Sequence, residues 1–475
     1  MPPFALGDLS NRHPQYQNQY TLVNKSGWLG FAAVSRRVLA LPPELLAEIF
    51  LCCLPEPGCI TITDGTPDPN TPPLVFCAVC RHWREVALTT PGLWGTLYLD
   101  AEFAYSKAQG DEYVEFCRQW ISRAGDTPLT FWLEAFVKDD NIRSLHNLLG
   151  RLARNWRSAY LSRDSHMPNW LQLPSHGKYP FLEDLTFATA CSDPAISFCD
   201  APRLRAVCLY GFTTNIRLPW HQLTTFQTDN IDVSACLKVL RDASKLVEAS
   251  FAWIENDHSP SLSNATIPLL NLKSLKLGQE SASAETFPMG ILDSLKAPAL
   301  KSLTLQSIEH NHTPASNISP FLSFISRSSC QLHTLKLRLI PMSTAALIEC
   351  LEATPSLRNL KLQPMWPVNS KAIFTQFTRR PEFLPVLESF YLVFPNSGML
   401  VSSATASLVV DMLTWRRSAT PLHSFHLAHP YPEHWFGTAI EAHPEFRRLR
   451  KEGMRLYVGK WWGDESFMHD DLFIY

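Results

Sequence analysis

Leu300-Lys301-Ser302-Leu303-Thr304-Leu305, Leu332-His333-Thr334-Leu335-Lys336-Leu337 and Leu357-Arg358-Asn359-Leu360-Lys361-Leu362 are copies of one pattern, L-x-x-L-x-L. The fourth and sixth positions are apolar and the residue between them is polar. Such a segment suits a short strand with one buried and one solvated face. Outward from these copies, with apolar substitutions allowed, the pattern recurs at Leu182-Leu185-Phe187, Leu204-Val207-Leu209, Leu246-Ala249-Phe251 and Leu272-Leu275-Leu277. It continues at Leu387-Phe390-Leu392 and Leu422-Phe425-Leu427, and Leu223-Phe226 is a degraded copy. Successive starts are 22, 19, 23, 26, 28, 32, 25, 30 and 35 residues apart. Self-similarity at this period predicts a leucine-rich-repeat solenoid. Each strand-and-helix unit is too small to bury its own apolar face, and stacking the units makes a continuous core.

Proline recurs two residues before the first leucine (Pro180, Pro202, Pro298, Pro355, Pro385), where it sets the backbone and blocks helix continuation. Between strands, Ile318, Phe321, Leu322 and Ile325 form one helical stripe. Leu347, Ile348 and Leu351 form another, opened by Ser343 and closed at Thr354-Pro355. Weaker strands are expected at Trp94-Leu97-Leu99, Leu129-Phe131-Leu133 and Trp156-Ala159-Leu161. After the last leucine the regular repeat class carries Asn or Cys. Here Phe212, Ile340 and Pro395 stand among the equivalents, so no buried ladder and an irregular curvature are expected. A basic helix from Phe446, a stop at Gly453 and one last strand around Leu456-Tyr457-Val458 read as a cap, with Trp461 and Trp462 covering the edge.

The expected fold class is therefore α/β: a short helical module followed by an irregular leucine-rich-repeat-like solenoid of parallel strands with intervening helices. Residues 1–37 read as a flexible arm and 38–95 as the helical module. Residues 96–180 read as connecting helices and degenerate first repeats, and 181–475 as the solenoid with its cap.

Of the 475 residues 45% are apolar, enough for a large core, and only 18% are charged. A net charge of −2 argues against a nucleic-acid backbone or an anionic membrane as partner. No apolar run reaches membrane-span length, and the first residues do not read as a signal peptide. Twelve scattered cysteines fit reduced thiols in the cytoplasm or nucleus. Phosphate-cradling glycine motifs, G-x-S-x-G and H-E-x-x-H are all missing, so neither catalysis nor a cofactor is expected.

The front of the chain carries Leu41-Pro42-Pro43-Glu44-Leu45-Leu46-Ala47-Glu48-Ile49-Phe50, then Leu74-Val75-Phe76-Cys77-Ala78-Val79-Cys80-Arg81-His82-Trp83-Arg84, then Thr89-Thr90-Pro91-Gly92-Leu93-Trp94. Residues 41–51 and 74–88 have helical periodicity, and the proline-rich 55–73 between them reads as a loop. Over about 38–95 this combination resembles the F-box, in the form common among large families of mushroom-forming fungi. The resemblance implies a three-helix module that docks on the small Skp-type adaptor of a cullin-based ubiquitin ligase, while the repeats hold a protein client. By the same carry-over Leu41, Pro42, Leu45, Ile49, Phe50, Val79 and Trp83 line the adaptor contact. An uncharged amphipathic helix pair suits a helix-in-groove interface. Several of these residues, Leu45, Ile49 and Trp83 above all, read equally well as the module's own core. The rival to a ligase receptor is a non-enzymatic repeat scaffold acting outside ubiquitination.

Cys77-x-x-Cys80 sits at helical spacing near Cys52, Cys53, Cys59 and His82, and reads as buried apolar thiols in preference to a metal site. His423, His426, His429 and His434 are split between a strand and a loop, and no metal is expected there either. Between the buried leucines stand Lys276, Thr334, Lys336, Arg338, Asn359, Lys361, Tyr391 and His426, and earlier Asp184, Tyr210, Gln227, Asp229 and Glu248. Of these, Lys276, Lys336, Arg338, Lys361, Tyr391 and His426 are the candidate client-binding residues, a stripe suited to an acidic or phosphorylated peptide. The plainer reading is a solvated wall whose lysines keep the protein soluble.

Overall fold

In the computed structural model, residues 41–54, 61–63, 66–67, 70–100, 107–135, 144, 147–163, 177–188, 195–255, 266–279, 289–307, 317–340, 342–363, 370–393, 403–429 and 437–460 are described. The leucine pattern produces one sheet. Strands Thr96–Asp100, Leu129–Ala135, Trp156–Arg163, Asp184–Ala188, Ala206–Tyr210, Thr225–Thr228 and Glu248–Glu255 pair in parallel, each with the next along the chain. The order continues through Ser274–Gln279, Ser302–Ser307, Thr334–Arg338, Asn359–Gln363, Ser389–Val393, Ser424–His429 and Arg455–Lys460. The register places pattern leucine beside pattern leucine: Leu275, Leu303, Leu335, Leu360, Phe390 and Phe425 are successive partners. This is an α/β leucine-rich-repeat-like solenoid, with helices between most of the later strands and short paired strands, Ile196–Ser197 with Ile216–Arg217 and Ile267–Pro268 with Leu295–Lys296, in the middle units.

The leading leucines 182, 204, 223, 246, 272, 300, 357, 387 and 422 are each 0% exposed, which makes them the spine of the core. Each therefore contributes roughly 1.5–3 kcal/mol of apolar transfer. The strands expected at Leu97, Leu129 and Trp156 belong to the same sheet, so position 181 marks no break in it. Trp94 sits as the other leading residues do, two positions before its strand and 0% exposed. It closes a 3-10 turn, Pro91–Trp94, buried against Trp120 and donating its indole N–H to the Ala87 carbonyl at 2.8 Å. The loop at 55–73 does depart from expectation, because Thr61–Thr63 pairs in parallel with Thr96–Asp100 and antiparallel with Thr66–Pro67, extending the sheet's first edge.

The helix Thr344–Glu352 opens where Ser343 accepts the Ala346 N–H, as the capping residue requires. Helix Ser319–Ser328 buries Phe324 as well as Phe321, and ends on Ser329 in the left-handed region instead of on glycine. The terminal helix Pro444–Lys451 stops before Gly453, whose φ of 89° suits a residue without a side chain, and Arg455–Lys460 follows. Trp461, Trp462 and the arm of residues 1–37 lie outside the described residues.

Successive units are also clamped by arginine. Arg416, fully buried in the helix Ser403–Ala419, donates to the carbonyls of Phe377 (2.7 Å), Phe383 (2.6 Å), Leu384 (3.2 Å) and Arg380 (3.4 Å). These lie at and beyond the end of the preceding helix, Ser370–Arg379. Carbonyls left over at a helix end need donors, and a cation there also meets the negative end of the dipole. Burial pulls the Arg416 pKa down to about 10, still far above neutrality, so it is held as a cation. Arg327, in the helix Ser319–Ser328 three units earlier, repeats the device, reaching Leu292 and Leu295 carbonyls at 2.8 and 2.9 Å.

Candidate functional site

Two surfaces gather the residues singled out in the sequence. The first is on the helical module. Pro42 starts the helix Pro43–Cys52 by accepting the Leu46 N–H at 3.1 Å, and Pro43 occupies its first turn. Leu46 and Phe50, four residues apart, face inward and are 0% and 1% exposed. One position back, about 100° round the helix, Leu45 and Ile49 share an outer face and are 54% and 44% exposed. Phe50 stacks on Phe76 at 4.2 Å and meets the edge of Trp83 at 4.9 Å.

These placements sort the candidate adaptor residues. Leu45, Ile49, Val79 and Pro42 are exposed and Leu41 is half-buried. Phe50 is core and offers no contact, because its ring completes the aromatic cluster. Trp83 is half-buried in that cluster, its indole N–H buried without a partner. The reading of Leu45 and Ile49 as core is overturned: the turn that sends Leu46 and Phe50 inward sends them outward.

The stretch 74–88 is not one helix. Leu74–Val79 and Arg81–Thr89 are separated at Cys80, whose backbone is extended (φ −159°) and whose Sγ accepts the Trp83 N–H at 3.4 Å. That break leaves Val79 53% exposed at a helix end. Cys77 and Cys80 are half-buried, less enclosed than the expected buried thiols; burial pushes the Cys77 thiol up, against Arg123 and Arg84. The ten described cysteines form no disulfide, and the described residues hold no three-ligand metal cluster. No helix among them is long and apolar enough to cross a membrane.

The second surface is the wall. The residue between the pattern leucines falls in one row from strand to strand: Ser250, Lys276, Thr304, Lys336, Lys361, Tyr391, His426 and Tyr457 are successive partners. The register thus brings five of the six candidate client residues into a single line. Arg338 stands in the next row, flanked by Gln306 and Gln363. Burial lowers the Arg338 pKa. Its Nε, the Thr304 hydroxyl and both flanking glutamine carbonyl oxygens are buried without hydrogen-bond partners. The Arg338 Nε is a donor that an incoming acceptor would satisfy, whereas the two amide oxygens call for donors.

At the end of the row Tyr391 and His426 stack at 4.4 Å and 26°, His426 and Tyr457 lie at 5.7 Å and 31°, and the Lys361 Nζ is 5.1 Å from the Tyr391 ring. The three rings thus close the far end of the row beside Lys361. Tyr457 was missed as a wall residue, although the alternation Leu456-Tyr457-Val458 carries the signal. Asp229, expected on the wall, is 3% exposed, its carboxylate taken by the Gly211 N–H. The sequence carries no mark of that inward turn.

Burial first, then Arg455 and Lys361, lowers the His426 pKa below 6.5. A histidine with a lowered folded value stabilises above its unfolded pKa, and this is lost as pH falls below about 6.5. The thermal midpoint is therefore expected to fall more steeply between pH 7 and 5 in the wild type than in His426→Phe. Equal slopes in both would contradict a neutral stacked imidazole.

No family model matches the chain, and no curated protein matches its sequence. Among solved structures a similar chain is found in the crystal structure of the TLR13–ssRNA13 complex, a Toll-like receptor, at 13% identity and a TM-score of 0.30. The match covers 63% of this chain and 34% of that one, so it takes in about a third of the receptor chain.

Proposed function

We propose that the chain is a non-catalytic substrate receptor of a cullin-based ubiquitin ligase. In this reading the helical module docks on a Skp-type adaptor, and through it on a cullin, while the wall holds a protein client with an acidic segment. The observation that carries the first half is the pair Leu45 and Ile49, large apolar side chains held in solvent on one helix face inside the motif that resembles the F-box. A folded protein gains nothing from that exposure, whereas a groove-forming partner does. The second half rests on Lys276, Lys336 and Lys361 in line beside the desolvated Arg338. The receptor makes no bond itself; it raises the effective concentration of client near the ligase. Such assemblies work in the cytoplasm and nucleus. A repeat scaffold outside ubiquitination would use the same wall and leave the helix face without a shared partner.

The test is purification of the full chain from cells with degradation blocked, as wild type and as Lys336→Glu/Lys361→Glu. Adaptor and cullin are expected with both, and an acidic set of clients with the wild type only, reduced at least about tenfold in the variant. Identical client sets would contradict the wall, and absence of the adaptor from both would contradict the receptor.

A further inference from the structure

A depression of about 290 Å³ opens on the wall well before the lysines. Its cause is one strand. Ala206–Tyr210 presents Ala206 and Cys208 to the wall, small residues set between Asp184 and Thr186 on one neighbour and Thr225 and Gln227 on the other. Tyr160 and Tyr210 rise beside this gap, their rings 6.4 Å apart and nearly perpendicular (78°), their hydroxyl oxygens 3.4 Å apart. The lining thus offers a carboxylate, hydroxyls, an amide and two aromatic rings, and it includes no lysine or arginine.

That chemistry selects a cation. Asp184 stands at the rim with its carboxylate only partly in solvent, and an ammonium or guanidinium against a tyrosine face gains from the ring quadrupole. Planar guanidinium can fork onto a carboxylate while lying on a ring, which a lysine cannot do. Burial, then Glu183, pushes the Asp184 carboxyl up, which an incoming positive charge would relieve. Arg157 is near enough to oppose that shift, but its guanidinium is turned to the Thr130 hydroxyl at 3.2 and 3.3 Å.

We infer that this depression is a subsite for an arginine side chain of the bound segment, recognised by Asp184 with Tyr160 and Tyr210. The inference rests on the reading that the wall carries a client, and it gives that client a charge order. From Cys208 the wall row runs through Gln227, Ser250, Lys276 and Thr304 to Lys336, five strand steps. At about 4.8 Å per step this is about 24 Å, or about seven residues of extended chain. The segment therefore carries an arginine about seven residues from the acidic group that meets Lys336.

The experiment uses the full chain and fluorescein-labelled peptides of serine and alanine carrying three glutamates. In one peptide an arginine stands seven residues from the glutamates, in a second it is alanine, and in a third the arginine is two residues away. The seven-residue arginine peptide is expected to bind about tenfold tighter than the other two. Asp184→Asn should erase that advantage and leave the alanine peptide unchanged. Ala206→Tyr, which fills the gap without changing charge, should do the same. Lys336→Glu/Lys361→Glu should weaken all three peptides. Equal binding of the arginine and alanine peptides by the wild type, both still dependent on the lysines, would overturn the subsite while the acidic stripe stands. An arginine advantage that survives both Asp184→Asn and Ala206→Tyr would also overturn it. No binding of any peptide would overturn the stripe and the subsite together.

Discussion

Replacing Arg416 by alanine is expected to destabilise the chain by about 3–5 kcal/mol, against less than about 0.5 kcal/mol for alanine at the adjacent Arg417. The two side chains differ only in where the helix turns them. Arg417 is exposed, with one hydrogen bond to the Glu452 carbonyl at 3.3 Å. Arg416 is 0% exposed, serves four carbonyls and lies 5.0 Å from the Phe377 ring and 5.2 Å from that of Trp415. Its loss removes the donors from buried acceptors and leaves a cavity between two stacked units. Lysine restores the charge but cannot reach four carbonyls at once, so Arg416→Lys should recover only part of the loss. Denaturant unfolding followed by tryptophan fluorescence measures all three. Equal midpoints for Arg416→Ala and Arg417→Ala would show that the clamp does not hold the units together.

The second large effect is on binding. Leu45→Asp combined with Ile49→Asp is expected to reduce capture of a purified Skp-type adaptor at least about a hundredfold, with the thermal midpoint unchanged. Both side chains already stand in solvent, so a charge there costs the fold little. Phe50→Ala is the opposite case. It removes a fully buried ring from the stack on Phe76 and should cost about 3–5 kcal/mol of stability. Undiminished capture by the double aspartate variant would remove this helix face from the interface.

Much of the fold was legible because strand pairing repeats one local rule. Once L-x-x-L-x-L is recognised, parallel stacking in register follows, and even the degraded copy at Leu223-Phe226 forms its strand, Thr225–Thr228. Illegible features depend on partners distant in sequence. Arg416 looks like one of two exposed basic residues until the preceding unit places carbonyls around it. Asp229 fits the wall pattern until the Gly211 N–H claims its carboxylate. On the module, helical period alone divides 43–52 into two faces but does not say which is buried. The aromatic cluster of Phe50, Phe76 and Trp83 decides that, and its three rings come from three different helices. The line of Lys276, Lys336, Lys361, Tyr391 and His426 was readable from spacing, whereas the depression over Cys208 required knowing that Tyr160 and Tyr210 rise beside it.

Calorimetric titration of a purified Skp-type adaptor into the wild-type full chain tests the receptor role most directly. A one-to-one complex with a heat signal that vanishes in Leu45→Asp/Ile49→Asp is the predicted result. No heat and no complex with the wild type at about 100 μM of each protein, weaker than a working interface of this class requires, would contradict it.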